Sequence, residues 1–236
     1  MELKLDLHIH SAASPDGRMS LDEIVERCRK AGLDGAAVCD HDRVLTAAPA
    51  FPDFLLIPGV ELSTQYGHLL GLFVSAPIET TDFRQAVSAI RTQGGIAVLA
   101  HPFEHFADAE RLAELVPLLA GVEVFNSRAT RKNRRANAQA EAFAAKYGLR
   151  PFAGSDAHVP GEIGNTVLTV EAEDKTAEAV KAALLAGTAR IEGRPSPARH
   201  TAASQLTRLR RTHAAPAAYV KWALFAGKCL LRDIFL

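Results

Sequence analysis

The sequence predicts an α/β fold with a largely parallel sheet. Three observations predict it. Short apolar runs alternate with helical patterns along most of the 236 residues; the helical stretches carry caps and glycine stops; and hydrophobic residues make up 48% of the chain against 23% charged, enough to fill a large core. Residues 3–9 read as the first strand, with Leu3, Leu5, Leu7 and Ile9 alternating with polar residues. A helix follows over 20–31, opened by Ser20 with Glu23 three residues on, and stopped by Gly32. Residues 35–39, 54–62 and 68–74 read as strands, and 82–92 as a helix. Further strands fall at 96–100, 121–125 and 151–154, separated by helices at 107–119 and 131–147. A strand at 166–170 and a helix at 176–186, ending at Gly187, complete the pattern.

The composition excludes several classes. The apolar content rules out a disordered or fibrous chain, and no apolar run reaches the ~18 residues of a membrane span. The N-terminus lacks a basic segment followed by a long apolar one, which gives the cytoplasm as the expected location. Cys28, Cys39 and Cys229 are scattered without CxxC spacing, and read as reduced core thiols. The net charge is zero but unevenly spread. Residues 194–236 hold eight Lys/Arg and one Asp, a net of +7, so the remainder carries 19 basic and 26 acidic residues, a net of −7. The change at Gly193-Arg194-Pro195-Ser196-Pro197 divides a body, 1–193, from a basic tail, 194–236.

Histidines and carboxylates cluster at the predicted strand ends. His8 and His10 close the first strand and Asp16 follows; Asp40-His41-Asp42 closes the second; Glu61 closes the third; His68 begins the fourth. His101 follows 96–100, and Asp156 and His158 follow 151–154. A parallel barrel gathers such ends into one ring of loops. In the HxH, alternation puts both rings on one face and Ile9 on the other. Imidazole and carboxylate without thiolate suit Mn²⁺, Fe²⁺ or Zn²⁺. Any one of these pieces alone reads equally as a loop cap or a buried ion pair; a polynuclear metal site is expected from their joint occurrence.

The segments DLHIHSAASPDG, CDHD, IPGVELS, GHLLG, AHP and GSDAH, in this order, resemble the PHP (polymerase and histidinol phosphatase) family, over about residues 3–193. The resemblance implies a distorted, TIM-like (β/α)₇ barrel and two or three divalent ions. It implies one ion on His8, His10, Glu61 and Asp156, a second on Glu61, His68 and His101, and a third on Asp16, His41 and His158. Asp6, Asp40 and Asp42 are candidates for carboxylates that orient ligand imidazoles, with Asp40 reading equally as a loop cap. Amidohydrolases open similarly but bridge their ions with a lysine; no lysine lies between Lys30 and Lys132, and Glu61 takes the bridging place.

What the resemblance implies for function is a metal-dependent phosphoesterase, in which hydroxide on the ions attacks a phosphomonoester of a nucleotide or short oligonucleotide. Asp16 and His158 are candidates to assist the leaving group, beside Glu61. Arg18 and Arg128 could reach phosphate from the rim. The run Arg128, Arg131, Lys132, Arg134 and Arg135 reads either as a solvated helix start or as a phosphate clamp, and Asn126 as holding substrate or a loop. A histidinol-phosphate-type phosphatase, or a non-catalytic metal-binding module working through its tail, is the alternative. RNA 5′ ends are among the expected substrates, and no obligate protein partner is expected. Residues 216–236, with Trp222, Phe225, Leu231, Phe235 and Leu236 among a mostly apolar helical pattern and Lys221, Lys228 and Arg232 on one stripe, fit three roles: a helix packed on the barrel or on a second subunit, a peripheral membrane contact, or a nucleic-acid contact.

Overall fold

The computed structural model describes residues 1–105 and 108–234. Nine strands lie in one sheet: β1 (Glu2–Ile9), β2 (Gly35–Val38), β3 (Leu55–Thr64), β4 (Gly67–Leu72), β5 (Ile96–Leu99), β6 (Gly121–Asn126), β7 (Arg150–Gly154), β8 (Thr166–Glu171) and β9 (Arg190–Gly193). Their order is β7-β6-β5-β4-β3-β2-β1-β8-β9. β1, β2 and β3 pair in parallel, as do β5, β6 and β7, while β4 runs antiparallel between β3 and β5. The largely parallel sheet of the sequence is therefore present, apart from β8, which runs antiparallel to β1 and β9, and the reversed β4. That reversal brings His68, at the start of β4, to the rim where the other strands end.

β1 serves two neighbours on one side. Its first half pairs antiparallel with β8, Glu2 to Leu5 facing Glu171 to Leu168. Its second half nearly closes the barrel: Asp156 N donates to His8 O (2.8 Å) and His10 N to Ala157 O (2.8 Å). Gly154 permits this approach, because a Cβ there would lie 2.2 Å from the Cβ of His8. The pairing of β1 with β2 shifts register between Asp6 and Ile9. This bulge changes which face follows: Leu3, Leu5 and Leu7 pack with Ala37, Ile57 and Val98, whereas Ile9 packs with Met19, Ile24 and Val25 under the first helix. Simple alternation over 3–9, expected from the sequence, fails at this point.

The helices pack outside. α1 (Leu21–Lys30) is capped by Ser20, whose hydroxyl accepts from Glu23 N, and buries Ile24, Val25 and Cys28. α2 (Phe83–Thr92) is capped by Asp82 and buries Phe83, Val87 and Ile90 against the β3–β6 side. The expected helix at 107–119 is a short α3 (Ala109–Ala113) followed by a 3₁₀ turn through Pro117; Ala107 lies outside the described residues. Pro117 has no N–H to bond the carbonyl of Ala113, which interrupts the α-helical ladder and divides the element. The expected helix at 131–147 begins only at α4 (Ala136–Tyr147). α5 (Ala177–Ala186) is capped by Thr176 and stops at Gly187.

The tail is a helical hairpin, α6 (Ala198–Arg211) and α7 (Pro216–Ile234). α6 was not evident from the sequence because its buried face is small: Ala198, Thr201, Ala202 and Ser204. Asp233 on α7 accepts from the N–H groups of Ala198 (2.7 Å) and Arg199 (3.0 Å), capping α6, and Trp222 Nε1 donates to Ala202 O (2.7 Å). α7 turns Phe225 and Cys229 onto α6 and leaves Val220, Leu224, Leu231 and Ile234 exposed; Phe235 and Leu236 lie outside the described residues. Among the described residues, no helix is long and apolar enough to cross a membrane.

Candidate metal centre

The nine expected ligands converge on one end of the barrel around the buried carboxylate of Glu61. Its Oε1 lies 2.9 Å from His101 Nε2, 2.8 Å from His68 Nδ1 and 3.6 Å from His8 Nε2. Its Oε2 lies 2.8 Å from His41 Nδ1 and 3.5 Å from His10 Nε2. Asp156 Oδ1 stands 3.2 Å from His10 Nε2, and Asp16 Oδ1 stands 3.5 Å from both His41 Nε2 and His158 Nε2. The donor atoms form three compact groups: His8, Glu61 and His101; His8, His10 and Asp156; His10, His41 and His158. Two ligands, His101 (φ 25°) and Asp156 (φ 56°), sit in left-handed backbone that favours glycine, strain of the kind found where function over-determines a loop.

These atoms fit divalent cations better than each other. Glu61 Oε2, Asp16 Oδ1 and His68 Nδ1 are buried and make no hydrogen bond among the described residues, although nitrogen or oxygen lies close to each. The set is nitrogen and oxygen only. Cys39, behind it, keeps its thiol protonated because burial raises its pKa. Burial alone would raise the Glu61 carboxyl, but His68, His8, His101 and His41 outweigh it and hold it well below the ordinary range. Burial alone would lower His41 and His101; Glu61 instead lifts each to about 9. His158 is held well below its ordinary value by burial, then by Arg128 and His10. Ions bound here would take the place of protons on the raised imidazoles.

The profile of the family described as PHP-associated matches residues 134–189. An uncharacterised protein of Methanocaldococcus jannaschii is 32% identical over 175 residues, 70% of this chain and 70% of that protein. A two-domain protein from Bacteroides vulgatus, described as containing a predicted PHP-like metal-dependent phosphoesterase, superimposes with a TM-score of 0.67 at 20% identity, over 88% of this chain and 70% of that one. The chain belongs to the PHP family. A 5′-3′ exoribonuclease of Haemophilus influenzae is 34% identical over 108 residues, 42% of this chain and 39% of that protein.

Around the expected ligands of this PHP protein lies a layer of fixed groups, only part of which is legible in the sequence. Glu123 Oε1 bonds His8 Nδ1 (3.1 Å), and its Oε2 accepts from His101 N (2.9 Å), so one buried carboxylate orients two ligands. Glu123 sits inside an apolar strand, where the sequence alone gives no sign of a site residue. A register shift between Glu123 and Phe125 lets both Glu123 and Asn126 reach the centre. Of the three carboxylates expected in this role, Asp6 and Asp42 act otherwise, and Asp40 reaches an imidazole only through Ser14. Asp6 Oδ1 accepts from His8 N (3.3 Å) and Ser155 N (2.9 Å), tying β1 to the end of β7, and burial raises its pKa to about 7. Asp40 accepts from Ser11 and Ser14; through Ser14 Oγ, 3.1 Å from His10 Nδ1, it both caps the loop and steadies a ligand. Asp42 holds Ser63 N (2.7 Å) and touches no imidazole.

The expected substrate contacts separate. Asn126 is fully buried: its amide donates to Glu123 (3.0 Å), and its oxygen accepts from Arg128 N (2.8 Å) and Ala129 N (3.0 Å). It holds the loop, and the expectation of substrate contact there gives way to a positioning role. Arg128 is buried with both Nε (2.8 Å) and Nη2 (2.7 Å) on Glu162, and Nη1 3.3 Å from Ser204 of α6. It is not part of a solvated helix start; it forms a fixed wall of a cleft of about 100 Å³ with Glu61, His68, His158 and Arg131. A neighbouring cavity of about 260 Å³ shares His68 and His101 and adds Tyr66, His105 and Arg111. Arg18 is exposed and does not line this cleft; it lines a separate hollow against α6.

Proposed function

We propose that this PHP protein is a metal-dependent phosphoesterase that releases phosphate from nucleotides or short oligonucleotides, including RNA 5′ ends. The observation that carries the reading is the convergence of six imidazoles and the carboxylates of Asp16, Glu61 and Asp156 at one cleft. The exoribonuclease relative supports a nucleic-acid-derived substrate.

Two or three divalent ions, held by His8, His10, Glu61 and Asp156, by Glu61, His68 and His101, and by Asp16, His41 and His158, would lower the pKa of a water and neutralise phosphoryl oxygens. Around them the chain supplies order. Glu123 and Ser14 fix the rings of His8 and His10. Arg128, its charge paired with Glu162, forms a wall of the cleft that does not reorganise. His158 donates Nδ1–H to Asp156 O (2.8 Å), which directs Nε2 towards Asp16 and into the cleft on the side we assign to the leaving group.

The test is phosphate release with Mn²⁺ from nucleoside monophosphates, 3′,5′-bisphosphates, 5′-phosphorylated RNA and histidinol phosphate, with His8→Ala as control. Release from a nucleotide class, abolished in the control, is expected. Release from histidinol phosphate alone would replace the substrate assignment. Silence across the panel with ions bound would sink the enzyme reading.

A further inference from the structure

A second cationic cavity lies where the tail meets the barrel. It has a volume of about 300 Å³ and is lined by Arg18 from the loop after β1 and by Ala203, Leu206, Thr207, Arg210 and Arg211 of α6. Among the described residues no acidic side chain lines it, and no carboxylate forms a salt bridge with any of the three arginines. Arg210 and Arg211 in the last turn of α6 complement its dipole, but Arg18 is on another element, so helix stabilisation does not explain the convergence. Three uncompensated cations around one hollow repel each other, and a bound anion relieves that repulsion.

Hydrogen bonds to main-chain oxygens tie both walls of the hollow to segments that carry or support the expected ligands. Arg18 follows Asp16 by two residues, a span of at most ~7 Å between Cα atoms, and its N–H donates to His158 O (3.0 Å). On the other wall, Arg211 Nη1 donates to Ala12 O (2.8 Å) and Ser14 O (2.7 Å), and the hydroxyl of Ser14 meets His10. Arg211 is thereby held in place with the rest of its guanidinium free of protein acceptors among the described residues. Guanidinium groups match phosphate oxygens bidentately.

We infer that Arg18, Arg210 and Arg211 form a subsite for a second phosphate of the same substrate, placed beside the Asp16–His158 edge of the metal centre and half built by the tail. The inference rests on the proposed phosphoesterase reading and extends it to substrates with two or more phosphates.

The full chain is assayed with Mn²⁺ on AMP and on adenosine 3′,5′-bisphosphate. The kcat/KM ratio of bisphosphate to AMP is expected to fall about tenfold in Arg18→Ala and in Arg210→Ala, mainly through KM, with partial recovery in Arg210→Lys. An unchanged ratio in both alanine variants overturns the subsite. If the wild type turns over neither compound, the phosphoesterase reading fails by itself. The subsite is then judged by binding of 5′-phosphorylated tetranucleotide RNA: salt-sensitive binding weakened about tenfold by Arg210→Ala supports it, and equal binding overturns it. Sedimentation with phosphatidylglycerol vesicles that Arg210→Ala abolishes, beside an unchanged nucleotide ratio, assigns the hollow to a lipid headgroup and overturns it as well.

Discussion

His8, His10 and Asp156 lie at the ends of barrel strands, Glu61 lies within β3, and all four are nearly or fully buried, whereas the side chains of Asp16, His41 and His68 are 18%, 25% and 33% exposed. The two halves share Glu61 but are supported differently. The inner half is backed by Glu123, Asp6 and the Ser14–Asp40 pair. Two of the outer ligands, Asp16 and His41, stand on loops, and the third on a hairpin. Burial removes water that would compete for the ions, and a hydrogen-bonded frame fixes the rings before any ion arrives. The inner half is thus built for retention and the outer half for access.

Glu61→Ala tests that shared centre and should have the largest effect: loss of most bound metal, and a fall of more than roughly a thousandfold in phosphate release. Elemental analysis and a turnover assay on one preparation would measure both; full metal content with full turnover would break the comparison. Glu123→Ala touches no ion, yet should weaken metal affinity by about 10–100-fold, with Glu123→Gln between it and the parent. Equal affinity in all three would mean that the inner frame is packing alone. Asp16→Ala should lower stoichiometry by about one ion and leave the inner half loaded, which titration with Mn²⁺ would resolve. Loss of every ion would show the halves to be one unit.

The smallest effect is expected from pH in metal-stripped protein. His41 and His101 stand above their ordinary 6.5, at about 9, in the folded state. Their contribution to stability is therefore complete below about pH 6.5 and is lost as pH rises through about 9. The Tm of the stripped protein should fall across that window, and the apparent affinity for Mn²⁺ should rise across it as the same protons become easier to displace. A flat pair of profiles would count against both.

Most of the inner half was legible because its chemistry is local: a ligand that ends a strand is found once the strand is found. The succession of strands as far as β8, the cap at Ser20 and the helix starts at Asp82 and Thr176 were readable for the same reason, whereas β9 was not. What the sequence hid was set at a distance. The bulges in β1 and β6 depend on which strand lies alongside, so neither the face change before Ile9 nor the inward Glu123 follows from alternation. Arg128 looked free because its partner, Glu162, is 34 residues away. The reversal of β4 is invisible in a short apolar run, and α6 buries residues too small to mark a face.

The β3–β4 hairpin carries a consequence for how such a rim can diversify. Ser63 faces His68 and Glu61 faces Leu70, so the ladder, rather than the turn at Gln65 and Tyr66, holds the imidazole on the side of Glu61. A one-residue slip of the ladder would send His68 to the opposite face, but lengthening the tip would not move it. Tyr66 at that tip also lines the neighbouring cavity. Insertions there can reshape what the cavity admits while the ion-binding atoms stay in place, so selection can explore new substrates at this hairpin without first dismantling the chemistry.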